Sequence, residues 1–157
     1  MPTSDDRSRL LRHLVATIAY RATVALRGFP RDAAASAPGG GARTPLELLS
    51  HVADLMHAAA AMALGQERPA PQPDAGWGDA EARLYAGLAR LDAALADGLA
   101  PAANVDALLQ GPLADALTHV GQLLLLRRLA GAPAEPRGYA RAEIVVGVVG
   151  PEQRDLG

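Results

Sequence analysis

The sequence predicts an all-α protein, an up-down bundle of four helices, and three observations carry that prediction. Half of the chain is hydrophobic but only 3% is aromatic, so the core must be built from Leu, Val, Ala, Ile and Met. Ala and Leu are strong helix formers, whereas strands favour β-branched and aromatic side chains. Four long stretches repeat apolar residues at intervals of three and four, the period of a helix with one buried face. Segments rich in Pro and Gly or in polar residues separate these stretches, as in bundles of helices joined by loops. A length of 157 residues fits one domain over residues 1–157 with one substantial core.

The first helix is expected from Ser4 to about Arg27, with Leu10, Leu14, Ile18 and Val24 on its apolar face. Ser4 is placed as its N-cap, Asp5 and Asp6 favour the macrodipole, and Gly28 and Pro30 stop it. A loop from Asp32 to Arg43 holds three successive glycines. The second helix opens with Thr44-Pro45-Leu46-Glu47, a capping box with proline at the first helical position. Leu48, Val52, Leu55, Ala59 and Met62 form its stripe, and Gly65 ends it before a Pro-rich stretch from Gln66 to Pro73.

The third helix starts near Trp77 or Asp79 and runs to Gly98, with Trp77 as a core plug. After a loop from Leu99 to about Asp106, the fourth covers roughly Ala107 or Pro112 to Leu129, with Gly131 and Pro133 as stop signals. Its GQLLLL centre is too apolar for a surface helix. Gly121 within it costs ~1 kcal/mol relative to Ala, which points to close approach of a neighbouring backbone. Arg127 and Arg128 read as a solvated face or as partners of the helix C-terminal dipole. The tail YARAEIVVGVVGPEQ is too short for another bundle helix and reads as a short helix and turn, or as an extended strap.

Composition excludes several functions. The formal charge is −2, with no basic block to track a phosphate backbone, so nucleic acid is not an expected partner. All 15 basic residues are Arg, and the absence of cysteine rules out disulfides, thiolate zinc sites and a cysteine nucleophile. No run approaches the ~18 apolar residues of a membrane span, and MPTSDDRSRLLRH lacks the apolar stretch of a signal peptide. A cytoplasmic protein without membrane partners is the expectation.

Three polar residues fall on apolar faces. His51 lies three residues after Leu48 and four before Leu55, while Asp115 and His119 stand one turn apart, with Gln122 a further turn on. An i,i+4 pair on one helix and a third residue on a facing helix can converge on one ion. Two imidazoles and a carboxylate suit a first-row transition metal and leave coordination positions open. Spacing alone also allows an ordinary buried polar pair, in which His119 bonds Asp115. His13 and His57, with charged or small neighbours, are read as structural.

RTPLELLSHVADLM in the second helix and GPLADALTHVGQLLLLRRLAGAP in the fourth resemble the corresponding helices of the DinB-like superfamily, which includes YfiT-like and mycothiol-dependent maleylpyruvate isomerase groups. The His-x-Gly-Gln element from His119 to Gln122 is the most specific piece. The resemblance implies a DinB-like four-helix bundle with a metal triad, in which His51 matches the first ligand and His119 the last. Asp115 stands where a middle His is usual. It further implies a divalent transition metal (Zn, Ni, Fe or Mn), a low-molecular-weight thiol and a homodimer, for which the alanines around Ala58 to Ala61 offer a face. Enzyme status stays open between metal-dependent transfer or hydrolysis on a small molecule and a non-catalytic stress-response bundle. Gln122 and Tyr139 are candidates to orient a ligand.

Overall fold

The computed structural model describes residues 4–154, with side chains from residue 6 onward; the proposed Ser4 cap and the Asp5 side chain lie outside the described residues. The described chain is helical, with no strand. Its long helices are α1 (Ser4–Leu26), α2 (Pro45–Ala63), α3 (Trp77–Asp97) and α5 (Ala114–Leu129), and a short α4 (Val105–Leu108) precedes α5.

The helix starts and stops follow local chemistry. Thr44 accepts from the Glu47 amide at 3.1 Å and the Glu47 carboxylate accepts from the Thr44 amide at 2.7 Å, so the capping box of α2 is complete. Asn104 caps α4 by accepting from the Ala107 amide at 3.0 Å, which starts the helical path two residues before the expected Ala107. Between α4 and α5 the chain makes a wide π-type turn over Leu109–Leu113. Pro112 has no amide and its ring pushes the preceding residue out of the helical region. Gly111 accordingly sits at φ −90°, ψ −108°. Both expected starts of the fourth helix therefore mark real features, a cap and a break.

The core is drawn from all four long helices, with Ile18, Leu49, Met56, Leu88, Leu91 and Leu113 among its fully buried side chains. Trp77 is buried and stacks on Phe29 with ring centroids 4.5 Å apart, which is the expected plug. Pairing across α1 and α3 runs in opposite directions, from Arg12 on Asp92 to Thr23 on Tyr85 and Phe29 on Trp77. Between α2 and α3 it advances in the same direction. Arg83 bonds Asp54, Gly87 lies against Met56 and His57, and the Ala100 amide donates to the Ala63 carbonyl. The alternation of direction expected of an up-down order therefore fails here, because α2 and α3 are parallel.

A parallel pair needs a connection that returns along the full length of the helices. Residues 64–76 supply it. The segment passes Arg90 at Gln66, Asp54 at Gln72 and Arg83 at Asp74, filling the groove between α2 and α3. Its prolines suit an extended path, which gains ~3.1 Å per residue in the polyproline conformation. Arg83 anchors the arrangement with bonds of 2.7 Å to both Asp74 oxygens, 2.6 Å to Asp54 and 3.1 Å to the Ser50 carbonyl. These contacts hold the Asp74 carboxyl below the usual carboxylate range, chiefly through Arg83.

Two expectations about close packing change places. Nothing lies within 4 Å of where a Cβ on Gly121 would be, and the residue is exposed. The close approach is at Gly87, whose Cβ would stand 2.9 Å from Met56 Cβ and 3.2 Å from the His57 amide nitrogen. The alanines at 58 to 61 are also buried within the chain, which removes them as a face for a second copy. Arg127 is only partly exposed: it donates to the Val24 carbonyl at 2.6 Å and to that of Ala132 at 2.7 Å, tying the end of α1 to the turn that follows its own helix. Arg128 is exposed.

After the 3-10 turn Tyr139–Arg141, the tail continues without regular structure and lays Ile144 and Val149 on the core. It combines the short helical turn and the strap left open by the sequence. Tyr139 meets Tyr20 edge-on at 6.4 Å and carries the Arg21 guanidinium 4.0 Å above its ring.

Candidate metal centre

The site lies where α2 and α5 face each other. The phase of α2, fixed at the Thr44 cap, places His51 on the flank of the stripe that buries Leu48, Val52 and Leu55. The break at Gly111 and Pro112 starts α5 at Ala114, so Asp115 falls in its first turn, where the helix dipole favours a carboxylate. His119 follows one turn later. His51 Nε2 stands 3.5 Å from Asp115 Oδ2 and His119 Nε2 stands 3.2 Å from Asp115 Oδ1. The two imidazole rings are edge-on at 4.8 Å between centroids. One donor atom from each of the three residues lies within 4.8 Å of the others, and among the described residues this is the single His/Asp/Glu group so arranged.

The surroundings of His51 favour its neutral form. Burial pushes the His51 pKa down, the positive charge of Arg43 and the neighbouring His119 push it further, and Asp115 offsets them only in part. His51 is therefore neutral at pH 7. Gln122 Oε1 accepts from His119 Nδ1 at 2.8 Å, and His119 Nε2 faces Asp115. Bonds of ~2.0–2.2 Å meeting at the tetrahedral angle put ligand atoms about 3.3 to 3.6 Å apart; the His51–Asp115 separation of 3.5 Å falls on that edge and the His119–Asp115 separation of 3.2 Å just short of it. The donor set of two nitrogens and one oxygen fits a borderline or hard transition ion.

Two clefts meet at the cluster. The first, about 620 Å³, is lined by His51, Asp115, His119 and Gln122 together with Arg43 and leucines of α2 and α5. The second, about 580 Å³, reaches His51 and Asp115 from the other side, past Arg68, Gln110 and Thr118. The side chains are partly accessible, at 26% for His51, 45% for Asp115 and 14% for His119. The cluster is thus open to solvent and to small molecules, unlike a closed structural site, in which the protein fills every position.

Of the residues singled out in the sequence, His51, Asp115, His119 and Gln122 come together. Gln122 bonds the His119 ring and also lines the first cleft. Tyr139 does not join them: it packs on α1, and no described residue after Leu129 lines either cleft. His57 is structural, with Nε2 3.0 Å from the Arg83 carbonyl, and His13 is exposed and apart from the site. Arg43 was missed because it sits in a loop whose course periodicity does not fix. The four consecutive leucines at 123 to 126 were a usable signal, since no single helix face can bury all of them. Leu125 and Leu129 are in fact 52% and 69% exposed, at the edge of the first cleft.

No protein-family model, curated protein or solved structure matches this chain.

Proposed function

We propose that this chain is a DinB-like four-helix bundle that binds one divalent transition metal through His51 Nε2, an Asp115 carboxylate oxygen and His119 Nε2. The observation that carries the reading is the convergence of one donor atom from each of these three residues, beside a His51 whose pKa is lowered chiefly by burial. A bound ion would supply Lewis acidity, lowering the pKa of a water or of a low-molecular-weight thiol at an open position. Gln122 would keep His119 in the required tautomer, a role that the outer partner of a metal-bound His commonly plays. Transfer or hydrolysis on a small molecule is the enzyme reading that follows.

A specific observation favours the second reading, a protein that binds metal or a small ligand without catalysis. Besides the cluster itself, Arg43 is the only ionisable residue lining the first cleft, so no separate general base stands there. A zinc titration against a competing chelator tests the ligand set. The expected result is one site per chain, lost in His119→Ala with helical content retained by circular dichroism, and tightened in Asp115→His. Equal ion content in wild type and His119→Ala refutes the assignment. Screening thiol transfer and hydrolysis on the loaded protein then separates the two readings.

A further inference from the structure

The first cleft has a composition of its own beyond the metal cluster. Its volume, about 620 Å³, is that of a small-molecule site. Leu48, Leu126, Leu125 and Leu129 give it an apolar wall. Leu125 and Leu129 remain largely exposed although packing them elsewhere would remove them from water. Arg43 also lines the cleft; it forms no hydrogen bond or salt bridge among the described residues, and its charge is felt at the exposed Glu47 carboxylate. Asp115 is the only acid in the lining. A divalent ion held by His51, Asp115 and His119 would make that end of the cleft positive, and Arg43 would add to it. A guanidinium that makes no hydrogen bond, beside an apolar wall, complements a molecule with an anionic head and an apolar body.

We propose, resting on the metal reading above, that the cleft binds a small amphiphilic carboxylate, of medium-chain fatty acid size, with its carboxylate at Arg43 and its apolar body on Leu125 and Leu129. Arg43 shares this cleft with the cluster, so the carboxylate end would lie on the same cleft lining as His51, Asp115 and His119.

Calorimetric titration of the full chain with octanoate, octanamide and acetate, zinc-loaded and chelator-stripped, tests this. Octanoate is expected to bind the loaded protein at least about tenfold more tightly than either control, the scale of one charge-assisted hydrogen bond. Arg43→Gln should lose that preference for octanoate over octanamide, and Leu125→Asn should weaken both octanoate and octanamide. Zinc binding without octanoate binding overturns the proposal and leaves the metal assignment standing. Octanoate binding that depends on Arg43 and Leu125 in a protein that holds no zinc upholds the cleft assignment and removes the metal reading. Equal octanoate affinity in wild type and both variants overturns the proposal. So does a dimer in sedimentation that Leu125→Asn dissociates while octanoate binds neither form; it would give the leucines to a second copy of the chain.

Discussion

The seams that α2 makes with α3 and with α5 use the same alanine- and leucine-rich helix, yet they are finished differently. Toward α3 the backbones close over Gly87, and residues 64–76 fill the groove with Arg83 tied to three partners. Toward α5 the helices flank two clefts, with His51, Asp115 and His119 between them. Burial follows the same division. Most of α2 is buried, whereas α5 buries only Ala116, Val120 and Leu123 despite its run of leucines. Apolar content alone therefore does not identify a core helix. In α5 it lines a cleft, and the closer backbone packing is on the other side of α2.

If that division holds, substitutions in the two seams have separable effects. The largest expected change in stability comes from Arg83→Ala, which leaves Asp74 and Asp54 as unpaired, largely buried carboxylates. It should cost on the order of 3 kcal/mol by urea denaturation while zinc stoichiometry stays at the wild-type value. The same pair gives a pH dependence. Because the folded Asp74 pKa is lowered, the unfolded chain binds the extra proton, and the stabilisation is complete above the ordinary carboxylate value of about 3.9. It is lost as pH falls through the lowered value, and Asp74→Asn should flatten that slope in acid unfolding curves.

A smaller loss is expected from Gly87→Ala, whose new methyl group meets Met56 Cβ at 2.9 Å and the His57 backbone at 3.2 Å. Overpacking of this kind costs about 1–3 kcal/mol, again without effect on metal. Smallest, and opposite in sign, is Gly121→Ala. Nothing stands near that position, so removing a mid-helix glycine should stabilise the protein by about 0.5–1 kcal/mol. A loss of stability there would mean that α5 is covered by something other than this chain.

What the sequence makes legible follows from how local each signal is. The capping box at Thr44, the Gly65 stop and the plug at Trp77 depend on neighbours in the chain and are where periodicity puts them. His51, Asp115 and His119 are legible for the same reason, since a cap fixes the phase of a helix and the phase fixes the face. The parallel course of α2 and α3 is not legible, because the 13-residue Pro-rich connection is compatible with a short reversal or a full-length return. Gly121 and Gly87 look alike in sequence, and only the approach of a second helix separates them. Arg127 and Arg43 act across space, one on the end of α1 and one on the cleft, with no periodic partner to announce either.

The most direct test of the account is elemental analysis of purified, untagged protein beside His51→Ala and Gly87→Ala. The account predicts about one transition ion per chain in wild type and in Gly87→Ala, and none in His51→Ala. No ion in the wild type after incubation with zinc, nickel, manganese and iron would contradict it, and would reduce the α2–α5 cluster to a polar contact between two helices.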